Sequence, residues 1–289
     1  MSIELIQAGS YTTIQDKGRV RLAHFGVPLS GFMDEHSANL ANWLVGNQPG
    51  SGLLEMTWTG VELISHTTCS VALAGAEFEC FVNDQPINTD NTIQLQTDDH
   101  FKMGRLLTGV RAYLAFAGSF DVTAHGGSMS TLSVAKLGGH SGRALKAGDV
   151  LNLKQPSLVA VKHKPSWKKV MPQSVHVLRA MPGPEIGYFT PNSIRQALGQ
   201  AYQITHDSNR QGFRLSADPI PAPKSFSMSS SGLVAGSLQV TPDGQTILAM
   251  KDAQTTGGYP RILVVNQDQI SQLAQIRPGE DIYFFVTSE

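Results

Sequence analysis

Apolar residues fall in short clusters along the chain, broken every few positions by Gly, Pro, Asn, Asp or Ser, a spacing that predicts strands more often than helices. Residues 3–6 open as a strand, and 9–19 continue as a turn, a short β-rich piece and a second turn. Further strands are expected at 53–58, 61–64, 70–74, 78–82 and 111–117, with Asn83-Asp84 as a tight hairpin turn before 85–87. Helical periodicity is confined to two places. After Asp34, Ala38, Ala41, Leu44 and Val45 form one apolar face, with Asn42 among them and Gly46-Asn47 as the stop. Later, Thr190 as cap, Pro191 in the first turn and Gly199 bracket a short second helix. The second half adds strands at 175–179, 246–250 and 262–265. The expectation is a mainly β protein with a few short helices, built as a sandwich or barrel.

With 289 residues the chain suits two modules, each large enough to bury a core. Charge and proline interrupt the periodicity at 162–169, which places the boundary near 165–173 and divides the chain into 1–168 and 169–289. Residues 143–151 and 274–283 each set a basic residue before a Gly-acid turn and a closing apolar strand, a hint that the modules are alike. A formal net charge of -1 with scattered Lys and Arg argues against nucleic acid as a partner. No long apolar run and no signal-like N-terminus stand out, so the expected location is cytoplasmic, with no membrane contact. Cys69 and Cys80 lie in strand-like segments and read as buried free thiols. The nine histidines lack metal-ligand spacing, so no metal is expected.

Candidate chemistry gathers in a few stretches. The loop Gln254-Thr255-Thr256-Gly257-Gly258-Tyr259-Pro260 sets two glycines among hydroxyls and a phenol; backbone at φ > 0 with uncovered N–H groups would grip an anion, and a plain wide turn is the alternative. Arg210 and Arg214 stand four apart, so in an extended segment both would face one side and fork onto a carboxylate or phosphate; solvated surface arginines are the alternative. Residues 125–142, rich in Gly, Ser and Thr, form a long loop over a cleft, where His125 and His140 read as loop histidines. A constrained loop at 25–34 ends on Asp34, which is either a helix cap or an acid-base group.

Several motifs in order carry a family resemblance over nearly the whole chain. They are Thr12-Thr13-Ile14-Gln15-Asp16-Lys17-Gly18-Arg19, Gly26-Val27-Pro28 with Ser30-Gly31 and Met33-Asp34, and Ala41-Asn42-Trp43-Leu44-Val45-Gly46-Asn47. Tyr113-Leu114-Ala115-Phe116-Ala117-Gly118, Gly236-Ser237-Leu238-Gln239-Val240 and the Gln254 loop complete the set. Together they resemble the 5-oxoprolinase C-subunit family, also called the KipI antagonist or allophanate hydrolase subunit 2 family, which is related to biotin-dependent carboxyltransferase domains. The resemblance implies cyclophilin-like β-barrels in two subdomains. It implies partnership with two further 5-oxoprolinase components, a B-like one of the allophanate hydrolase subunit 1 family and an A-like one, and ATP-dependent opening of 5-oxoproline to glutamate. The sequence departs from the pattern at Arg21, where glycine is usual, at Met129 for arginine, and at Asn209 and Ser231, where acids are usual.

If the substrate is 5-oxoproline, its carboxylate needs a cationic or N–H-rich clamp, for which Arg210, Arg214, Gly257 and Gly258 are candidates, with Gln239, Thr255, Thr256, Tyr259 and Ser30 as further substrate contacts. Asp252 ranks first for proton transfer, ahead of Asp34 and His24, with Lys251 stabilising a phosphate or oxyanion. No GxxxxGK[ST] motif is present, so ATP is expected on or shared with a partner subunit. Two alternatives stay open: a carboxyltransferase-like subunit of the urea or allophanate type, and a regulatory binding protein that antagonises an inhibitor of a histidine kinase.

Overall fold

A computed structural model describes residues 1–165, 173–223 and 228–286. The first stretch contains strands β1 (Ser2–Gln7) and β2 (Tyr11–Gln15), helix α1 (Glu35–Leu44), and strands β3 (Leu53–Thr57), β4 (Glu62–Ser65), β5 (Cys69–Val82), β6 (Gln85–Pro86), β7 (Ile93–Leu95), β8 (Asp99–Phe116), β9 (Ser119–Phe120) and β10 (Val150–Lys154). The remainder contains β11 (Val175–Pro182), α2 (Pro191–Gly199), β12 (Gln203–Ile204), β13 (Gly212–Ser216), β14 (Ser231–Gly232), β15 (Ser237–Val240), β16 (Thr246–Ala249), β17 (Thr256–Gly257), β18 (Arg261–Val265), α3 (Ile270–Leu273) and β19 (Asp281–Val286). The fold is mainly β, with curled, barrel-like sheets. Among the described residues no helix is long and apolar enough to cross a membrane.

Two compact units divide the chain. Residues 1–20 and 30–165 form one; residues 21–29 join those from 173 onward in the other. The sequence division kept 21–29 in the first half, and no change in the apolar pattern marks the detour. The expected linker core and the 168/169 boundary fall within 166–172, outside the described residues.

In the first unit a ten-stranded sheet runs β2-β3-β8-β4-β1-β10-β9, with β5 paired to β8 and carrying β6 and β7. The stretches 70–74 and 78–82 belong to one 14-residue strand, not two, and 111–117 is the end of an 18-residue strand. Register shifts near Gly75, Glu77 and Phe78 explain the difference: bulges reset the side-chain alternation inside a continuous ladder, which mimics a strand break in sequence. Asn83 and Asp84 both take positive φ, 50° and 62°, as the hairpin turn requires. Helix α1 packs Ala38, Ala41 and Leu44 against β5 and β8, and Asp34 caps it, its Oδ1 accepting from Ser37 N at 3.0 Å. Cys69 and Cys80 are free and buried, and burial pushes the Cys80 thiol up to about 12.

Asp16 organises the loop at 125–142. Its Oδ1 accepts from Ser128 Oγ and Ser130 Oγ at 2.5 Å each and from Gly18 N at 2.8 Å, while Oδ2 accepts from Met129 N at 2.7 Å. A carboxylate is the one side chain of this size that offers only acceptors to four converging donors.

In the second unit seven strands follow the order β12-β13-β16-β15-β18-β11-β19. Beside β12, Tyr202 exchanges backbone hydrogen bonds of 2.9 and 2.8 Å with Ile282 of β19, so the two ends of the sheet meet at one bridge and the barrel nearly closes. Helix α2 starts on the Thr190 cap and Pro191; Gly199 is its last residue rather than lying beyond it. The two similar turns seen in sequence are built alike. Asp149 Oδ2 accepts from Lys146 N at 2.8 Å and Glu280 Oε2 from Arg277 N at 2.9 Å, each around a glycine at positive φ and each feeding the next strand.

Asp16→Asn keeps the shape but turns one acceptor into a donor facing donors. The expected loss is about 2–4 kcal/mol in the unfolding of the first unit. It would be read as a lower urea midpoint at unchanged m.

Candidate functional site

The outer face of the second unit's sheet carries a cavity of about 280 Å³. Its floor follows from strand register. Arg214 pairs with Ile247, Ile247 with Gln239 and Gln239 with Arg261, so these four side chains lie in one row across β13, β16, β15 and β18. One step along, Gly212 pairs with Ala249, and two small residues leave the hollow open. On the opposite face Phe213, Leu215, Leu238 and Leu248 fill the core. Asp207, Asn209, Gln254 and Tyr259 add polar walls, and Leu233 adds an apolar one.

Two buried ion pairs fix this rim. Arg210 donates from Nε to Asp252 Oδ2 at 2.8 Å and from Nη2 to Asp252 Oδ1 at 3.0 Å, and both residues are 5% exposed. Asp252 N also donates to Arg210 O at 2.8 Å, so the turn after β16 is tied to the turn before β13 twice over. Arg261 forks onto Glu185 with distances of 2.7 Å from Nε and 2.5 Å from Nη2. It also donates to Ser231 Oγ at 2.9 Å and to Gly232 O, which anchors β14. Donation from Arg261 holds the Glu185 carboxyl below the usual carboxylate range, with partial burial opposing it.

The predicted site residues separate into two groups. Arg214, Gln239 and Tyr259 line the cavity. Arg214 has no carboxylate within ion-pair distance among the described residues, whereas Arg210 does not line the cavity and is engaged by Asp252. Arg210 precedes β13 instead of sharing its strand, so the parity argument that put both guanidiniums on one side does not apply. Asp252 is correspondingly held by Arg210 rather than poised as a base. Lys251 is half-buried beside it, outside the cavity lining.

The glycine pair corrects another expectation. Neither Gly257 nor Gly258 has a positive φ, and Thr256 and Gly257 form β17, paired antiparallel to β14. Gly257 is required for a different reason: a Cβ there would meet Gln239 Nε2 at 2.7 Å. Thr255 serves through its carbonyl, which accepts from Leu233 N at 2.9 Å, and Thr256, Gly257 and Gly258 do not line the cavity.

Asp34 and Ser30 belong to the first unit. Asp34 is occupied as the cap of α1, and Ser30 is buried at φ 55° with no hydrogen-bond partner for its Oγ among the described residues. His24 is exposed, its ring 4.0 Å from that of Phe25, and it does not line the cavity. Sequence reasoning missed Asp207, the carboxylate of the cavity wall. Its signal lay in the polar run 206–209, which turns the chain into β13 immediately before Arg214.

Comparison with known proteins places this architecture. A family model for the carboxyltransferase domain, subdomains A and B, matches residues 25–286. This chain belongs to the carboxyltransferase-domain A/B family. Within that family it is 35% identical over 286 residues to the C subunit of the Escherichia coli (strain K12) 5-oxoprolinase, covering 98% of this chain and 90% of that protein. It is 32% identical over 307 residues to the urea amidolyase of Lachancea kluyveri, covering 98% of this chain but only 17% of the relative's length. The crystal structure of the Kluyveromyces lactis urea amidolyase superimposes with a TM-score of 0.90 at 29% identity, over 99% of this chain and 19% of that one.

The positions at which the sequence departs from the 5-oxoprolinase C-subunit pattern it resembles acquire places in the structure. Arg21 sits at φ 65°, the backbone region that explains the usual glycine. Asn209 lines the cavity and accepts from Gln211 N at 2.8 Å, so the neutral residue leaves Asp207 as the one carboxylate of the lining. Ser231 gives Arg261 a hydroxyl where an acid would have given a second charge. Met129 packs on the core and fills the space a side chain at Gly52 would need, its Sδ lying 2.1 Å from where that Cβ would be.

Asp252→Ala removes one member of a buried pair and is expected to cost about 3–5 kcal/mol in the second unit's stability, measured by chemical denaturation. Glu185 gives a pH signature. Its folded pKa lies below the unfolded value, so its contribution is complete above about pH 4.3 and is lost as pH falls through the folded value. The urea-midpoint gap between wild type and Glu185→Gln is therefore expected to be widest at neutral pH and to close in acid. A gap that stays constant down to about pH 3 would refute the assignment.

Proposed function

We propose that this chain is one component of an ATP-dependent 5-oxoprolinase, and that the second unit's cavity holds 5-oxoproline. The observation that carries this reading is the division of labour among three arginines. Arg210 and Arg261 are committed to Asp252 and Glu185, while Arg214 faces the cavity with no carboxylate partner among the described residues. A small ligand bearing its own carboxylate supplies the missing partner. The volume, about 280 Å³, lies just under the ~300–1,000 Å³ typical of drug-sized pockets, as suits a compact molecule. The relatives named as the C subunit of 5-oxoprolinase support the same substrate.

In this mechanism Arg214 binds the carboxylate and the buried Gln239 orients the ring, its Oε1 accepting from the lactam N–H. Asp207 takes the role that the sequence suggested for Asp252: it receives a proton from water as the oxygen bonds to the ring carbonyl carbon, and returns that proton to the ring nitrogen as its bond to the carbon breaks. ATP, bound on or shared with a companion subunit of the B-like or A-like kind, would supply activation by passing its terminal phosphoryl group to the carbonyl oxygen, with ADP and then inorganic phosphate as the released products. Tyr259 borders the entrance, half exposed.

A second reading, a carboxyltransferase acting on urea, is supported by the urea amidolyase likeness over 99% of this chain. The two readings differ at Arg214, because urea has no carboxylate. In an assay with purified companion subunits, 5-oxoproline and ATP, Arg214→Ala is expected to raise KM roughly 10–100-fold with little change in kcat. Glutamate formation that persists unchanged when this chain is omitted would overturn the proposal. Turnover of urea with carboxylated biotin, indifferent to Arg214→Ala, would establish the second reading.

A further inference from the structure

The first unit contains a cavity of its own, about 380 Å³, built from the glycine-rich loop. Its lining includes Lys136, His125 and His140, the hydroxyls of Thr123 and Ser141, and no carboxylate. Asp149 lies beside it, with Oδ1 3.5 Å from His140 Nε2, and Arg143 engages both of its oxygens at 2.7 Å; Asp121, next to the lining residue Val122, is paired with Lys154 at 2.7 Å. The formal charge on the lining is therefore positive, carried by Lys136.

The backbone contributes as well. Lys136, Gly138, Gly139, Ser141 and Gly142 all take positive φ, between 51° and 70°, and two of these are residues for which that conformation is strained. Behind them the loop is packed hard: a Cβ at Gly138 would lie 2.1 Å from Ser130 O and one at Gly139 would lie 1.9 Å from Thr131 Oγ1. Asp16 holds Ser128, Met129 and Ser130 from below, so the loop's form is fixed from its inner side. Gly139 N and Gly142 N are used within the loop, while the N–H groups of His140 and Ser141 have no protein acceptor among the described residues. His140, which is not at positive φ, is followed by Ser141, which is, and adjacent uncovered N–H groups at such an alternation form a concavity suited to an oxyanion.

We propose that this cavity binds a phosphate group, with the His140 and Ser141 N–H groups and the Thr123 and Ser141 hydroxyls as donors, Lys136 as the cation and the His125 and His140 imidazoles as further hydrogen-bonding walls. The volume exceeds that of the second unit's cavity, so both free phosphate and the phosphate of a small metabolite fit the chemistry. The site is separate from the cavity assigned to 5-oxoproline and does not depend on that assignment.

The test uses the full chain. Inorganic phosphate and, separately, ADP are titrated while the imidazole resonances of His125 and His140 are followed by NMR at constant ionic strength. Both resonances are expected to shift saturably with one shared dissociation constant. Lys136→Gln and, in case the strained position fails to fold, His125→Gln in the exposed turn are each expected to weaken binding at least tenfold. Arg214→Ala is expected to leave it unchanged. Comparable affinities for phosphate and ADP identify a free-anion site, and tighter ADP binding identifies a phosphorylated metabolite. No saturable shift with either ligand, equal shifts with chloride, or loss of binding in Arg214→Ala overturns the proposal.

Discussion

A guanidinium removed from water needs acceptors for its charge and N–H groups, and the second unit is arranged around two that meet carboxylates. Arg210 with Asp252 locks the turns at one end of the β13–β16 pair, and Arg261 with Glu185 locks the start of β18 to a distant loop and to β14. Each pair joins segments far apart in sequence, so both also set where the rim of the cavity lies. Gly183 shows how close the packing is there, since a Cβ on it would lie 2.1 Å from Arg261 O. With those charges internally balanced, the electrostatic character of the hollow rests on Arg214 and Asp207 alone. The proposed anion site rests on that selectivity of exposure, not on the number of arginines.

Features decided by neighbours in sequence were legible in advance. The Asp34 and Thr190 caps, the Asn83-Asp84 turn and the paired Gly-acid turns all rest on contacts within a few residues. Features decided by register were not. The continuity of β5 through its bulges has no local signal, and the partnership of Arg210 with Asp252 spans 42 positions. Arg214, Gln239 and Tyr259 were recognisable as binding types, yet only the pairing of β13, β16, β15 and β18 aligns the first two in one row. Asp207 escaped notice because a lone acid in a polar turn looks like any solvated residue.

The glycines divide along the same line. Those at 138, 139 and 142 are demanded by a left-handed backbone and by close packing together, whereas Gly257 is demanded only by the approach of Gln239. The motif from Thr12 to Arg19 gains a physical meaning from the first group. Asp16 is the acceptor on which the loop at 128–130 is hung, and buried Arg19 reaches Ser130 O from the same motif. A short run early in the chain thus dictates the form of a loop more than a hundred positions later.

The reciprocal bonds between Tyr202 and Ile282 have a bearing on how this molecule can associate. They draw the two ends of the seven-stranded sheet together at a single bridge, while residues 283–286 of β19 pair, among the described residues, only with β11. What margin remains open to another strand is short, which disfavours association by extension of that sheet.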